Sequence, residues 1–227
     1  MSTPGISPTV AEEALSIAIG AITLEADLAL PVDPMGLVVF CHGSGSSRFS
    51  RRNRAVAEAL REARLATLLL DLLTAEEEWV DQITGEHRFN IDMLGRRVVD
   101  VVDWTRKHPE LRALGLGLFG ASTGAAAALI AAAERPTVVR AVVSRGGRPD
   151  LARDALPQVQ CPTLLIVGGE DIAVIELNRD AMRQMRAPVR LEIVPGATHL
   201  FEEPGALEKV AQLSADWFQR YLPYRVE

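Results

Sequence analysis

Apolar positions fall into two recurring patterns along the chain, and the two alternate. Short continuous runs occur at 36–41 (GLVVFC), 66–72 (ATLLLDL), 114–119 (LGLGLF), 138–143 and 162–167 (PTLLIV). Each has strand length and lacks the polar alternation of a half-exposed strand, so each is expected to be buried on both faces. Between them lie segments with helical spacing. In 51–64 the apolar positions include Val56, Ala57, Leu60 and Ala63, and Ser50 stands where a cap is needed. Ile91, Leu94, Val98 and Val102 mark a second helix over 89–107. Further helices are expected at 176–185 and 205–221, with a last strand at 189–194 between them. Near the start, 15–19 and 22–30 read as a strand pair parted by Gly20, the second alternating through Ile22, Leu24, Ala26 and Leu28. Residues 1–13 read as a frayed lead-in. Residues 73–88 are polar and acidic, carry Trp79, and are expected to form a loop that acts as a lid. Strands alternating with helices imply right-handed crossovers and a mainly parallel sheet.

The most informative junction is 114–133, LGLGLFGASTGAAAALIAAA. A strand turns through Gly120-Ala121-Ser122-Thr123-Gly124 into an alanine-rich helix. A serine at the centre of G-x-S-x-G between strand and helix is a nucleophile elbow: the turn is so tight that its neighbours must be small. Thr123 then begins a helix with a free backbone N–H, suited to holding negative charge. A serine hydroxyl needs a base, and the base needs an orienting carboxylate. Of four histidines, His199 lies after the elbow, in a Gly-Ala-Thr turn past the last strand. His42 lies in an early loop and is expected to prop that loop. The acid is expected after the penultimate strand. Asp171, two residues past Gly168-Gly169, is preferred over Glu170, with Asp150 and Asp154 weaker; a plain helix cap remains the alternative role for Asp171. Chain order Ser, acid, His fits this set. The second oxyanion donor is expected from Ser44, in His42-Gly43-Ser44. Arg145, Arg48 and Trp79 are candidate substrate contacts.

Composition narrows the picture. With 227 residues, 48% of them hydrophobic, the chain suits one α/β domain over 1–227. A net charge of −6 argues against nucleic acid as partner. Two cysteines, Cys41 and Cys161, with no metal-type spacing, imply neither a disulfide framework nor a zinc site. No signal peptide and no spanning segment are expected, so the cytoplasm is the expected compartment. Gly115-Leu116-Gly117-Leu118-Phe119-Gly120 spells G-x-G-x-x-G, but its first glycines fall inside the strand and no acid follows at the required distance, so no dinucleotide cofactor is expected.

The motifs His42-Gly43-Ser44-Gly45, Gly120-Ala121-Ser122-Thr123-Gly124, Gly168-Gly169-Glu170-Asp171 and Gly196-Ala197-Thr198-His199 together resemble the α/β-hydrolase superfamily. The similarity is closest to its small dienelactone hydrolase-like branch and runs over about 15–221. That resemblance implies a mostly parallel sheet of about eight strands flanked by helices, no large cap domain, no metal or organic cofactor, and hydrolysis of an ester, lactone or thioester. Dienelactone hydrolases proper use a cysteine nucleophile; this sequence has Ser122. The expectation is a serine hydrolase working through an acyl-enzyme on Ser122, with Asp171 and His199 completing a triad and Ser44 and Thr123 forming the oxyanion hole. A non-catalytic binding module of the same fold and an acyltransferase using the same three residues are the alternatives.

Overall fold

The computed structural model describes residues 10–223. Its sheet is eight-stranded among the described residues, in the spatial order β1-β2-β4-β3-β5-β6-β7-β8. The strands are β1 (Ala11–Ile19), β2 (Ile22–Leu30), β3 (Leu37–Cys41), β4 (Ala66–Leu70), β5 (Leu116–Ala121), β6 (Val139–Arg145), β7 (Thr163–Gly168) and β8 (Val189–Val194). β1 and β2 form an antiparallel hairpin in which Ile19 faces Ile22 across a turn that holds Gly20 at φ +57°. β2 runs antiparallel to β4, and every later pairing is parallel. β1 begins at Ala11, so the lead-in expected over 1–13 is corrected there: residues 11–13 pair with Leu28, Ala29 and Leu30. The remainder of that expectation, residues 1–9, lies outside the described residues.

Helices cover both faces: α1 (Arg51–Glu62), α2 (Ala75–Thr84), α3 (Ile91–Thr105), α4 (Gly124–Glu134), α5 (Ile172–Gln184) and α6 (Ala206–Tyr221). On one face α3 and α4 set Leu94, Val98, Val102 and Leu129 against Val39, Leu68 and Leu118. On the other, α1 and α6 set Val56, Leu60, Val210 and Phe218 against Phe40 and Phe119. All five residues of β3 are buried, as a strand covered on both sides must be. α4 is almost wholly buried, and its alanines let it lie between the sheet and α3.

The glycines that spell a dinucleotide fingerprint are spent on packing. A Cβ on Gly117 would lie 2.6 Å from the Phe218 ring, and one on Gly115 would lie 2.0 Å from the Leu222 carbonyl oxygen. They seat α6 and its C-terminal turn on β5.

Residues 73–88 are not an irregular loop. They contain α2, opened by a reciprocal capping box in which Thr74 Oγ1 accepts from Glu77 N–H and Glu77 accepts from Thr74 N–H. Arg97 of α3 then grips Glu77 with both terminal nitrogens and also donates to the Leu72 carbonyl at 2.7 Å. Within α2, buried Asp81 accepts from residues that follow the helix: the His87 N–H at 2.7 Å, the Arg88 N–H at 2.9 Å and Arg88 Nε at 2.6 Å. Burial raises the Asp81 carboxyl's affinity for a proton, but the Arg88 and His87 donors outweigh it and hold the group below the usual carboxylate range. A depressed carboxylate contributes stability above its unfolded pKa, and that contribution disappears as pH falls through its folded value. Asp81→Asn is therefore expected to lower the urea midpoint at pH 7. The gap from wild type should shrink steadily below about pH 4; a gap independent of pH contradicts the latch.

Candidate active site

The elbow is built by steric necessity. Ser122 has φ +49°, a left-handed conformation that a serine holds only when its surroundings impose it. Its N–H donates to the Arg145 carbonyl at 3.2 Å, and its own carbonyl accepts from Ala125 N–H at 3.1 Å and Arg148 N–H at 3.0 Å. A Cβ on Gly120 would lie 2.3 Å from Ala125 Cα, and one on Gly124 would lie 2.3 Å from the Cys41 carbonyl oxygen. Any side chain at either position would push the helix off the sheet. The result is a half-buried serine at the carboxyl end of β5, on a backbone fixed from both sides.

Past the ends of β7 and β8 the structure joins two further expected residues. Asp171 is the N-cap residue of α5, yet its side chain makes no cap bond. The carboxylate instead meets His199: Nδ1 lies 2.6 Å from Asp171 Oδ2. The capping role held open for Asp171 therefore does not describe its side chain. With a carboxylate at Nδ1, that nitrogen carries the proton and Nε2 is left free to accept one. The pair is graded in exposure, the Asp171 side chain at 16% and His199 at 40%, so the imidazole is the more open to solvent of the two. Ser122 Oγ makes no hydrogen bond to His199 in this structure. The two are nonetheless on adjoining turns: Gly146 follows Arg145, and a Cβ placed on it would lie 3.5 Å from His199 Cε1. Glu170 is exposed, Asp154 is exposed, and Asp150 is occupied by Arg148 at 2.8 Å.

The turn after β3 packs against Ser122. A Cβ on Gly43 would fall 2.9 Å from Ser122 Cβ, so only glycine lets the backbone come this close. Beneath it sits His42, 6% exposed. Its Nδ1 is 2.8 Å from the Gly43 carbonyl, and its Nε2 accepts the Leu72 N–H at 2.8 Å. Both contacts are met by a neutral ring, and burial pushes its pKa down. His42 thus ties β3's turn to β4's end. Leu72 was not foreseen as its partner; nothing in the local pattern links positions 30 apart.

Thr123 and Ser44 meet, but in an unforeseen way. Thr123 N–H makes no hydrogen bond among the described residues, while Thr123 Oγ1 accepts the Ser44 N–H at 2.9 Å. One of the two expected oxyanion donors is free, and the other is engaged by a neighbouring hydroxyl.

The three substrate-contact candidates separate. Arg48 and Trp79 line one cleft of about 650 Å³ with His42, Ser47, Asp71 and Leu73; neither Ser122 nor His199 lines it. Trp79 is 65% exposed on α2. Arg48 is held by Asp71 and Asp27, so its charge is already matched. Arg145 is in neither place: it is buried at the end of β6. The Cys41 and Cys161 thiols are buried and pushed up to about 12, which removes both as thiolates at neutral pH. Among the described residues no three His, Cys, Asp or Glu side chains gather as a metal-ligand set, and no helix is long and apolar enough to cross a membrane.

The profile of the dienelactone hydrolase family matches residues 73–223. The crystal structure of a dienelactone hydrolase from Anabaena variabilis is similar over 94% of this chain and 99% of that one, at 56% identity and a TM-score of 0.92. Est1E from Butyrivibrio proteoclasticus has the same fold at 20% identity, covering 91% of this chain and 98% of that one with a TM-score of 0.76. A Mycobacterium tuberculosis protein provisionally named a phosphoribosyl transferase is 53% identical over 215 residues, which are 95% of this chain and 48% of that protein. The chain thus spans about half the length of the curated relatives it matches.

Proposed function

This chain belongs to the dienelactone hydrolase family, and on that premise we propose that it is a serine hydrolase of small esters, lactones or thioesters. The observation that carries the proposal is the 2.6 Å contact between His199 Nδ1 and Asp171 Oδ2, which presets the ring to take a proton at Nε2. Ser122 Oγ attacks the acyl carbon and its proton passes to His199 Nε2. The imidazolium is stabilised by Asp171 and then protonates the leaving alcohol or thiol. Water, deprotonated by the same nitrogen, cleaves the acyl-enzyme and regenerates Ser122. The Ser122–His199 hydrogen bond is absent at rest and in this reading forms when substrate arrives, as catalytic hydrogen bonds commonly tighten only then. The phosphoribosyl transferase of the M. tuberculosis relatives' name is assigned in this reading to the half of those proteins that this chain does not span.

Thr123 N–H supplies one oxyanion contact. Ser44 N–H supplies the second by leaving Thr123 Oγ1 for the stronger, charged acceptor. Thr123→Val keeps the shape and removes that competitor. It is expected to raise kcat by up to about tenfold, since a neutral hydrogen bond of roughly 1 kcal/mol no longer has to be given up. Stability should fall by a similar amount, because the Ser44 N–H loses its resting partner. Steady-state kinetics beside urea unfolding checks both; a fall in kcat assigns the hydroxyl itself to the reaction.

The reaction class is tested on aryl esters, a lactone and an acyl-thioester. Release of free acid with wild-type enzyme supports it. No turnover across the series, with Ser122 unreactive toward acylating agents, favours a binding module; transfer of the acyl group to an added alcohol in place of water favours acyl transfer.

A further inference from the structure

Arg145 is a buried cation with no anion beside it among the described residues. It is the last residue of β6 and only 7% exposed, and it projects to the face covered by α1 and α6, the face of Val143 and Ala141. Its Nη2 has a long contact to Asn53 Oδ1 at 3.4 Å, its carbon centre stands 6.0 Å from the Phe201 ring, and its Nε is buried without an acceptor. No carboxylate among the described residues pairs with it. The charged group that does act on it is another guanidinium, Arg52, in the first turn of α1. Arg52 pairs outward with Glu202 at 3.0 Å, while its own Nε also lies buried without an acceptor. The first turn of α1 contains no acidic residue, so the helix end adds further positive potential. Burial and the Arg52 charge together hold the Arg145 pKa down to about 10, which still leaves it charged at neutral pH.

An unpaired charge in such a place is strongly unfavourable, and buried guanidinium groups ordinarily find a carboxylate or another anion. We propose that Arg145 and Arg52 hold a small monovalent inorganic anion, chloride, in the seam between the end of β6, the first turn of α1 and the turn after β8. The choice of the smallest anion follows from closure: Asn53 is 2% exposed and Phe201 is 1% exposed, so the neighbours of the guanidinium are themselves shut off from solvent. Its placement gives the ion a structural task. The Arg145 carbonyl accepts the Ser122 N–H, and the next residue, Gly146, lies under the His199 backbone. The anion neutralises the strand end on which both turns rest.

The test uses the full chain in chloride-free gluconate buffer, titrated with chloride at constant ionic strength. The melting temperature should be flat at low chloride and then rise with the logarithm of its concentration once the dissociation constant is passed. Arg52→Gln should shift the onset to several-fold higher chloride, and Arg145→Met should abolish the rise. Crystals grown in bromide should show an anomalous peak beside the Nε atoms of Arg145 and Arg52; this arm and Arg52→Gln decide the matter even if Arg145→Met does not fold. Identical melting in chloride and gluconate, or no bromide peak at Arg145, overturns the proposal. Stabilisation by acetate or phosphate but not by chloride overturns it as well, and reassigns the seam to the acidic group of an organic ligand.

Discussion

Ser122→Ala is expected to lower kcat for a simple aryl ester by roughly 10⁴- to 10⁶-fold, with little change in KM. The expectation follows from where the side chain stands. Its backbone is fixed by the Arg145, Ala125 and Arg148 contacts, none of which involves the hydroxyl, so alanine leaves the elbow intact. The left-handed conformation at Ser122 is no worse for alanine than for serine. Truncation thus removes the proposed nucleophile and almost nothing else. Circular dichroism and the urea midpoint should match wild type, which separates loss of chemistry from loss of fold. The remaining activity measures what the oxyanion contacts achieve alone, since hydrolysis then relies on direct attack by water. Unchanged turnover would remove Ser122 from the mechanism. Neither buried cysteine offers a substitute, because each thiol is held protonated.

Asp171→Asn is expected to cost about 10³- to 10⁴-fold in kcat at neutral pH. The change is isosteric, but an amide replaces an acceptor-only carboxylate with a group that can also donate. An Asn NH₂ facing Nδ1 favours the tautomer with the proton on Nε2, where it blocks acceptance from Ser122. The charge that stabilises the imidazolium is also lost. Glu170→Gln, at an exposed neighbour whose backbone N–H bonds to the Ala197 carbonyl, should leave kcat within about twofold, as surface substitutions usually do. Equal losses at the two positions would contradict the assignment of the acid.

Much of this arrangement was legible in the sequence because its causes are local. The runs at 37–41 and 163–168 form buried parallel strands, since continuous apolar residues have no face to turn toward water. Ser50 caps α1 through Asn53 N–H at 3.3 Å, as its position before the helical pattern indicates. The elbow was legible because tight turns demand small residues at fixed offsets. What the pattern hid depends on contacts distant in sequence. α2 presents Trp79 and Ile83 to solvent and is held by Glu77, Arg97 and Asp81 rather than by an apolar face, so its periodicity reads as a loop. Its one local signal was the T-x-x-E spacing of Thr74 and Glu77. The same holds for the 3₁₀ segment Pro149–Gln158, which is broken at Arg153 with φ +46° and carries Pro157 inside it. Arg145 looked like a substrate contact because it follows a strand beside the elbow. Strand alternation, which places its side chain on the face of Val143 under α1 and α6, is not a local signal at that position. The engagement of Ser44 N–H by Thr123 Oγ1 likewise joins residues whose proximity only the folded sheet creates.

The most direct measurement is covalent trapping. Wild-type protein treated with a fluorophosphonate should gain one adduct by intact-mass spectrometry, mapped to Ser122 by fragmentation of its peptide, and the rate of gain should collapse in His199→Ala. An adduct on any other residue, or none under conditions that label a known serine hydrolase, would contradict Ser122 as a nucleophile activated by His199.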